Sequence, residues 1–257
     1  MLLVIMLPGA LLLNNLVLKL GLTIFMSYLK LIIFKIVYII NVFLLQIRSP
    51  GLVLKGSYCL FVTIKANAAS ILCKECTLKY VLINVDESSN QLVIDNCNIE
   101  NTSISITGTG NTVKIESGVI LRSGELIVRG ENCAVSIGKG STFGGIRIVA
   151  VGNGSAIEIG ENCLFSDKVE VWSSDTHPIY DEHNNVINHE GKITVLDRVW
   201  VGSRVTILKN VTIGSDSVVG MSSVVTKDVP KSSVVAGNPC RVVRQGITWG
   251  LEYPDKG

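Results

Sequence analysis

The sequence predicts an all-β protein whose C-terminal half winds into a parallel β-helix, preceded by a hydrophobic helical extension. Three observations carry this. An aliphatic residue recurs every six positions at Val195, Val201, Ile207, Ile213, Val219 and Val225, and two positions before each of the last five stands a small or β-branched residue: Val199, Val205, Val211, Ser217, Ser223. A longer repeat of 22 residues aligns Gly108, Gly130 and Gly152, then Val113, Val135 and Ile157, then Ile115, Ile137 and Ile159. From about residue 52 onward β-branched residues come at short intervals, punctuated by Gly and Asn, with no helical period.

A period of six belongs neither to an α-helix, whose apolar stripe returns every three or four residues, nor to a strand alternating every two. It fits a coil of short strands and tight corners in which each repeat supplies one inward aliphatic side chain, and no repeat is stable until its neighbours stack on it. The 22-residue period fits the same coil enlarged by a few corner residues. On this reading residues 51–245 form the β-helix and 246–257 a tail.

Residues 1–50 form a separate extension. Up to residue 47 they carry no acid, and Lys19, Lys30 and Lys35 are their only charges. No basic segment opens them and no small-residue cleavage site follows, which argues against a cleaved signal peptide. Pro8, Gly9, Asn14, Asn15 and Lys19 interrupt the apolar run before the roughly 20 residues a bilayer requires. On a helix over residues 27–47, Ser27, Lys30, Lys35, Tyr38, Asn41 and Gln46 share one arc, opposite Ile32, Ile36, Ile39, Ile40, Phe43 and Ile47. Such a helix suits a membrane interface, with lysines toward acidic headgroups, and equally suits packing on its own protein or a partner subunit. Ser49, Pro50 and Gly51 end it, and Met26 offers an alternative start. The expected location is cytoplasmic, with peripheral contact at the inner face of the cytoplasmic membrane as the corollary of the lipid-facing reading.

Composition narrows the function classes. The net charge of +2 hides an asymmetry, because seven basic residues precede the first acid, Glu75, and the remainder is net negative. A nucleic-acid partner is therefore not expected. Seven irregularly spaced cysteines in a 257-residue chain read as reduced core residues. Cys73 and Cys76 form a CxxC without the second pair or nearby histidine a zinc site needs.

One stretch breaks the coil's rhythm. Residues 171–193, VWSSDTHPIYDEHNNVINHEGKI, hold Pro178 and all three histidines, and read as a loop extruded from the solenoid. His177, His183 and His189 are spaced by six, but in an irregular loop even spacing does not stack side chains, so a zinc site of the carbonic-anhydrase type is a minor reading and no metal is expected.

The segment ITVLDRVWVGSRVTILKNVTIGSDSVVGMSSVVTKDVPKSSVVAGNPCRVV, with SSDTHPI in the loop, closely resembles the hexapeptide-repeat acyltransferases, and within them the capsule and polysaccharide O-acetyltransferases. The match covers about the last 90 residues well and residues 106–170 more loosely; hexads, VWVG, KDVP and AGNP occur together and in order. The resemblance implies a left-handed coil, a homotrimer with active sites between subunits, and transfer of an acetyl group from acetyl-CoA to a hydroxyl of a bacterial surface saccharide. His177 matches the family's general base, and an imidazole is suited to taking a sugar hydroxyl's proton. Asp175 orients that ring, binds the acceptor or caps the turn. The donor site the resemblance implies comprises Trp200 near the acyl end, Gly202 and Gly220 where a ligand approaches the main chain, with a backbone N–H near Gly202 as oxyanion donor, Ser222, Ser223 and Lys227 on pantetheine and phosphate, and Arg241 on the nucleotide phosphates.

The chain departs from the family at Met221-Ser222, where Ala-Gly is usual and bulk would narrow the donor groove, at Cys240-Arg241, and at Asn210 in place of glycine. Two other classes stay open: N-acetylation of an amino sugar, and a non-catalytic solenoid that binds carbohydrate or scaffolds a complex.

Overall fold

The structure is a computed structural model that describes residues 26–30, 32–33, 35, 51–66, 69–87 and 89–252. The chain divides into two compact units, residues 1–43 and 44–257. In the first, the described residues from Met26 to Lys35 are helical; Ser27, Lys30, Ile32 and Lys35 of the expected two-faced helix are among them, and the other residues named for its two faces lie outside the described set. Among the described residues no helix is long and apolar enough to cross a membrane.

The second unit is all-β. One face is an eight-stranded parallel sheet that starts with Leu52–Lys55 and Ser70–Lys74 and ends with Lys192–Val195 and Val211–Ile213. The other two faces form a single sixteen-stranded sheet, because the long strands Thr77–Val85 and Asn98–Thr109 run through the corner between them. Every neighbouring pair is parallel except the closing hairpin of Ser233–Gly237 with Cys240–Gln245.

Register explains both sequence periods. Val113 stacks directly on Val135, which stacks on Ile157, so residues 22 apart occupy one column. Ile193 stacks on Val211 and Trp200 on Val218, giving coils of 18 residues, three hexads and three faces. The hexad residues Val195, Val201, Ile207, Ile213, Val219 and Val225 are all fully buried, and so are Val199, Val205, Val211, Ser217 and Ser223. A parallel solenoid hides one side of every strand, so period-two alternation survives only for two or three residues before a corner resets it. Larger coils admit larger side chains: Phe143 and Phe165 stack inside with ring centroids 4.8 Å apart.

Corners are turned by left-handed residues stacked coil on coil. Asn162, Arg198, Asp216 and Ser232 have φ of 53, 56, 58 and 52°, and Lys168, Arg204 and Ser222 have φ of 57, 57 and 60°. Asn210, at φ 60°, makes such a turn where the family's glycine is replaced, as asparagine tolerates. The aligned glycines answer a stricter demand. At Gly108 φ is +93° and a Cβ would stand 2.1 Å from the carbonyl oxygen of Gly130, so only a residue without a side chain lets the two corners stack. All seven cysteines are free and all but Cys240 are buried. Burial pushes the thiols of Cys59 and Cys163 up to about 11, which keeps them neutral core residues.

Candidate active site

The loop leaves the solenoid where Val169–Trp172 ends and returns at Lys192–Val195. It stretches one coil to 36 residues, twice the hexad coil. Its tip is a small hairpin: Tyr180 bridges Val186, the Ile187 N–H donates to the carbonyl of Ile179, and the Asp181 carboxylate accepts from the N–H groups of His183 and Asn185. His177 stands at the hairpin's base, exposed, with its N–H donating to the Asp175 carbonyl at 2.8 Å. It lines a cleft of about 400 Å³ together with Thr176, Asn188, His189 and Glu190.

Two residues that carried no signal in the sequence fix this histidine's stretch of the loop. The Asn188 side chain donates to the His177 carbonyl at 2.9 Å and to Asp175 Oδ2 at 2.8 Å, while its oxygen accepts from the Ile179 N–H at 2.5 Å. Lys209, on the coil beneath, donates from Nζ to Asp175 Oδ2 at 2.5 Å and to the His189 carbonyl at 2.8 Å. Asp175 is thus engaged by Lys209 and Asn188; among the described residues no hydrogen bond joins its carboxylate to the His177 ring. The Lys209 ammonium first, and the Asn188 amide next, hold the Asp175 carboxyl below the usual carboxylate range. A depressed pKa adds stability that is present above the unfolded value and is lost as pH falls through the folded one, so this brace holds at neutral pH and loosens in acid. Replacing Lys209 by methionine is expected to return the Asp175 midpoint to the ordinary range in a carbon-detected NMR titration; an unmoved midpoint removes Lys209 as the cause.

The residues assigned to the donor lie on other parts of the coil. Trp200, 39% exposed, opens the short strand Trp200–Val201, and Gly202 follows directly after buried Val201. The Gly202 N–H donates to the Val219 carbonyl and the Gly220 N–H to the Val235 carbonyl, both at 2.8 Å. The Gly202 amide is therefore committed to coil stacking, and the oxyanion donor expected near it has to be a neighbouring group. A Cβ on Gly202 would come within 2.7 Å of the Met221 nitrogen, and one on Gly220 within 3.0 Å of the Ala236 Cβ. Arg241 pairs with Ala236 across the terminal hairpin, which continues the column from Gly202 through Gly220. Ser222 is exposed and accepts from Arg204 Nε at 3.3 Å; Lys227 is exposed too.

One expectation changes at this edge. Ser223 is fully buried and its hydroxyl accepts from the Gly237 N–H, so its side chain belongs to the interior of a corner and does not reach a ligand outside. Met221 is 61% exposed on the outer surface beside Gly202, where its bulk is expected to narrow the donor groove. The three histidines do not form a metal cluster: among the described residues no group of three or more His, Cys, Asp or Glu is placed to hold an ion.

The column through Gly202 and Gly220 and the His177 loop thus lie at different corners of the solenoid. Known proteins resemble the chain in sequence and in fold. The chain is 42% identical over 125 residues to a polysialic acid O-acetyltransferase of Escherichia coli O1:K1 / APEC, and 43% identical over 90 residues to the galactoside O-acetyltransferase of Escherichia coli strain K12. These alignments take in 48% and 35% of the chain, and 40% and 44% of the relatives, so the chain spans under half the length of each. Its fold matches the crystal structure of the polySia-specific acetyltransferase NeuO with a TM-score of 0.64 at 29% identity, over 78% of this chain and 84% of that one. In sequence and in fold the chain is similar to these O-acetyltransferases and to NeuO. No protein-family model matches it. Within this acyltransferase fold, Lys209 and Asn188 escaped the sequence reading because corner and loop positions obey no period; neither differs in kind from a solvated residue until the coil beneath the loop is known.

Proposed function

We propose that the chain is an acetyl-CoA-dependent O-acetyltransferase that modifies a hydroxyl of a bacterial capsular or lipopolysaccharide-type saccharide. The observation that carries this reading is the His177 loop, extruded from a regular coil and braced by Asn188 and Lys209 so that an exposed imidazole stands on a rigid base. Because His177 and the Trp200–Gly202 edge lie at different corners, the site is completed between subunits of a homotrimer, the loop of one meeting the donor edge of the next.

In the reaction the neutral imidazole of His177 takes the proton of the acceptor hydroxyl as its oxygen attacks the thioester carbonyl. The tetrahedral intermediate collapses with cleavage of the C–S bond, and the imidazolium returns the proton to the departing thiolate, leaving the acetylated saccharide and coenzyme A. A positioned base contributes about 10² to 10⁴ in rate, and alignment of donor and acceptor contributes much of the remainder. Asp175 acts on the loop as a whole, through Lys209 and Asn188. The donor extends along Gly202, Gly220 and Ser222 toward Lys227 and Arg241, whose charges suit its phosphates.

The similarity to polysialic acid and galactoside O-acetyltransferases makes polysialic acid and simple galactosides the first acceptors to assay. Thiol release from acetyl-CoA that depends on the saccharide, with a new O-acetyl signal in the product's NMR spectrum, is the expected result. No saccharide-dependent release across capsular and lipopolysaccharide-type acceptors removes the transferase reading in favour of a binding or scaffolding solenoid.

A further inference from the structure

Beyond the strand Cys240–Gln245, the described residues 246–252 stay against the solenoid. The Ile247 N–H donates to the Ser232 carbonyl at 3.0 Å, and the Trp249 indole N–H donates to the Arg198 carbonyl at 2.7 Å. Arg198 answers from its guanidinium to the Trp249 carbonyl at 3.2 Å, and is itself held by Asp216 at 2.8 Å. Its charge lies 5.7 Å from the centre of the Trp249 ring. A segment without a strand is thus pinned at several points to one corner of the coil.

The effect of this pinning is a wall. Trp249 stands 6.0 Å from Trp200 with the rings tilted by 46°, and together with Leu164, Leu251 and Glu252 they bound a concavity of about 390 Å³. Its surface does not serve the core, since Trp200 remains 39% and Leu251 80% exposed. Two aromatic faces, two aliphatic side chains and one carboxylate at the rim match a pyranose ring, whose C–H face packs on an indole while its hydroxyls donate outward. Its position fits as well. Gly202 follows Trp200 by two residues, about 7 Å along extended backbone, and the cleft is lined by Trp200 and not by Gly202.

We propose that the cleft between Trp200 and Trp249 is a subsite for one sugar ring of the saccharide acceptor, with the C-terminal tail as its wall and Arg198 as the residue that positions that wall. This deepens the transferase reading and rests on it. A donor laid along the glycine column presents its acyl end beside Trp200, and the cleft holds the sugar next to the reacting hydroxyl.

The test uses full-length protein, wild type and Trp249→Ala, Trp249→Phe and Arg198→Met, each first checked for an unchanged melting temperature and oligomeric state. With polysialic acid or methyl galactoside as acceptor, Trp249→Ala is expected to raise the acceptor KM about tenfold, the scale of one lost ring contact, while the acetyl-CoA KM and kcat stay within about twofold. Trp249→Phe recovers most of the loss, and Arg198→Met reproduces part of it. A rise confined to the acetyl-CoA KM, or no change in either KM, overturns the proposal. Should no variant, wild type included, transfer acetyl to any saccharide, the transferase reading fails by itself. The subsite is then judged by saturation-transfer NMR with the same saccharides: contacts to the wild type that vanish in Trp249→Ala keep it, and their absence from the wild type removes it.

Discussion

Replacing His177 by alanine is expected to lower kcat/KM for the proposed saccharide acetylation by about 10² to 10⁴ while the protein keeps its melting temperature and its coenzyme A affinity. The stability half of this expectation follows from exposure: the side chain of His177 lies outside the core, and the contacts that fix the loop there come from its main chain, to Asn188 and Asp175. The catalytic half follows from chemistry. Without a base the hydroxyl must attack while still protonated or give its proton to water, and only positioning of the two substrates is left to accelerate the step. A loss below tenfold sinks the assignment of His177 as base. Asp175→Asn separates the two roles open to that carboxylate. If Asp175 works by holding the loop through Lys209 and Asn188, the amide keeps part of that contact and the loss stays near tenfold or less. If it orients the imidazole directly, the substitution stabilises the wrong tautomer and the loss approaches that of His177→Ala.

How far a single sequence reveals such a site depends on what repeats. The inward columns repeat because each coil must fill the same cross-section, so Val195 to Val225 and the aligned Gly108, Gly130 and Gly152 could be read without coordinates. Ser223 was legible by the same rule, since it belongs to the buried column of Val199, Val205, Val211 and Ser217; the family pattern drew it outward, and the column was the better guide. The earliest coils were harder. Leu52 to Ile106 winds through coils of about 19 to 21 residues without strict repetition, and bulky residues turn its corners: Phe61 and Tyr80 have φ of 52 and 55°, a conformation sequence reasoning reserves for Gly, Asn or Asp. What stayed hidden is whatever depends on two distant segments meeting. Lys209 lies 34 residues from Asp175 and Trp249 51 from Arg198, and nothing in the composition of either stretch announces its partner.

The second large effect is expected inside the solenoid. Asn111 is fully buried, yet every polar atom of its side chain is used: its amide donates to the carbonyls of Thr107 and Gly130, both at 3.0 Å, and its oxygen accepts from the Cys133 N–H at 2.8 Å. Asn90, one coil below, does the same for the carbonyl of Gly108 and the N–H of Asn111. These asparagines supply partners at a corner where the backbone turns too sharply to pair with the next coil throughout. Asn111→Ala strips partners from three main-chain groups, the buried Cys133 N–H and the partly buried carbonyls of Thr107 and Gly130; an unsatisfied buried group costs on the order of 1–3 kcal/mol, so the expected destabilisation is about 2 kcal/mol or more. Asn111→Leu should do no better, because filling the volume does not restore a donor to Gly130 or an acceptor to Cys133. Stacked coils hold one another in place, so the loss should appear as weakened hydrogen-exchange protection across the coils from residue 91 to 137, together with a lower denaturant midpoint. The exposed Asn185→Ala at the loop tip serves as the control and should leave both measures unchanged. A change below about 1 kcal/mol for Asn111→Ala would mean that water enters the corner and replaces the asparagine's bonds, and the ladder would then be a convenience of packing instead of a requirement of the fold.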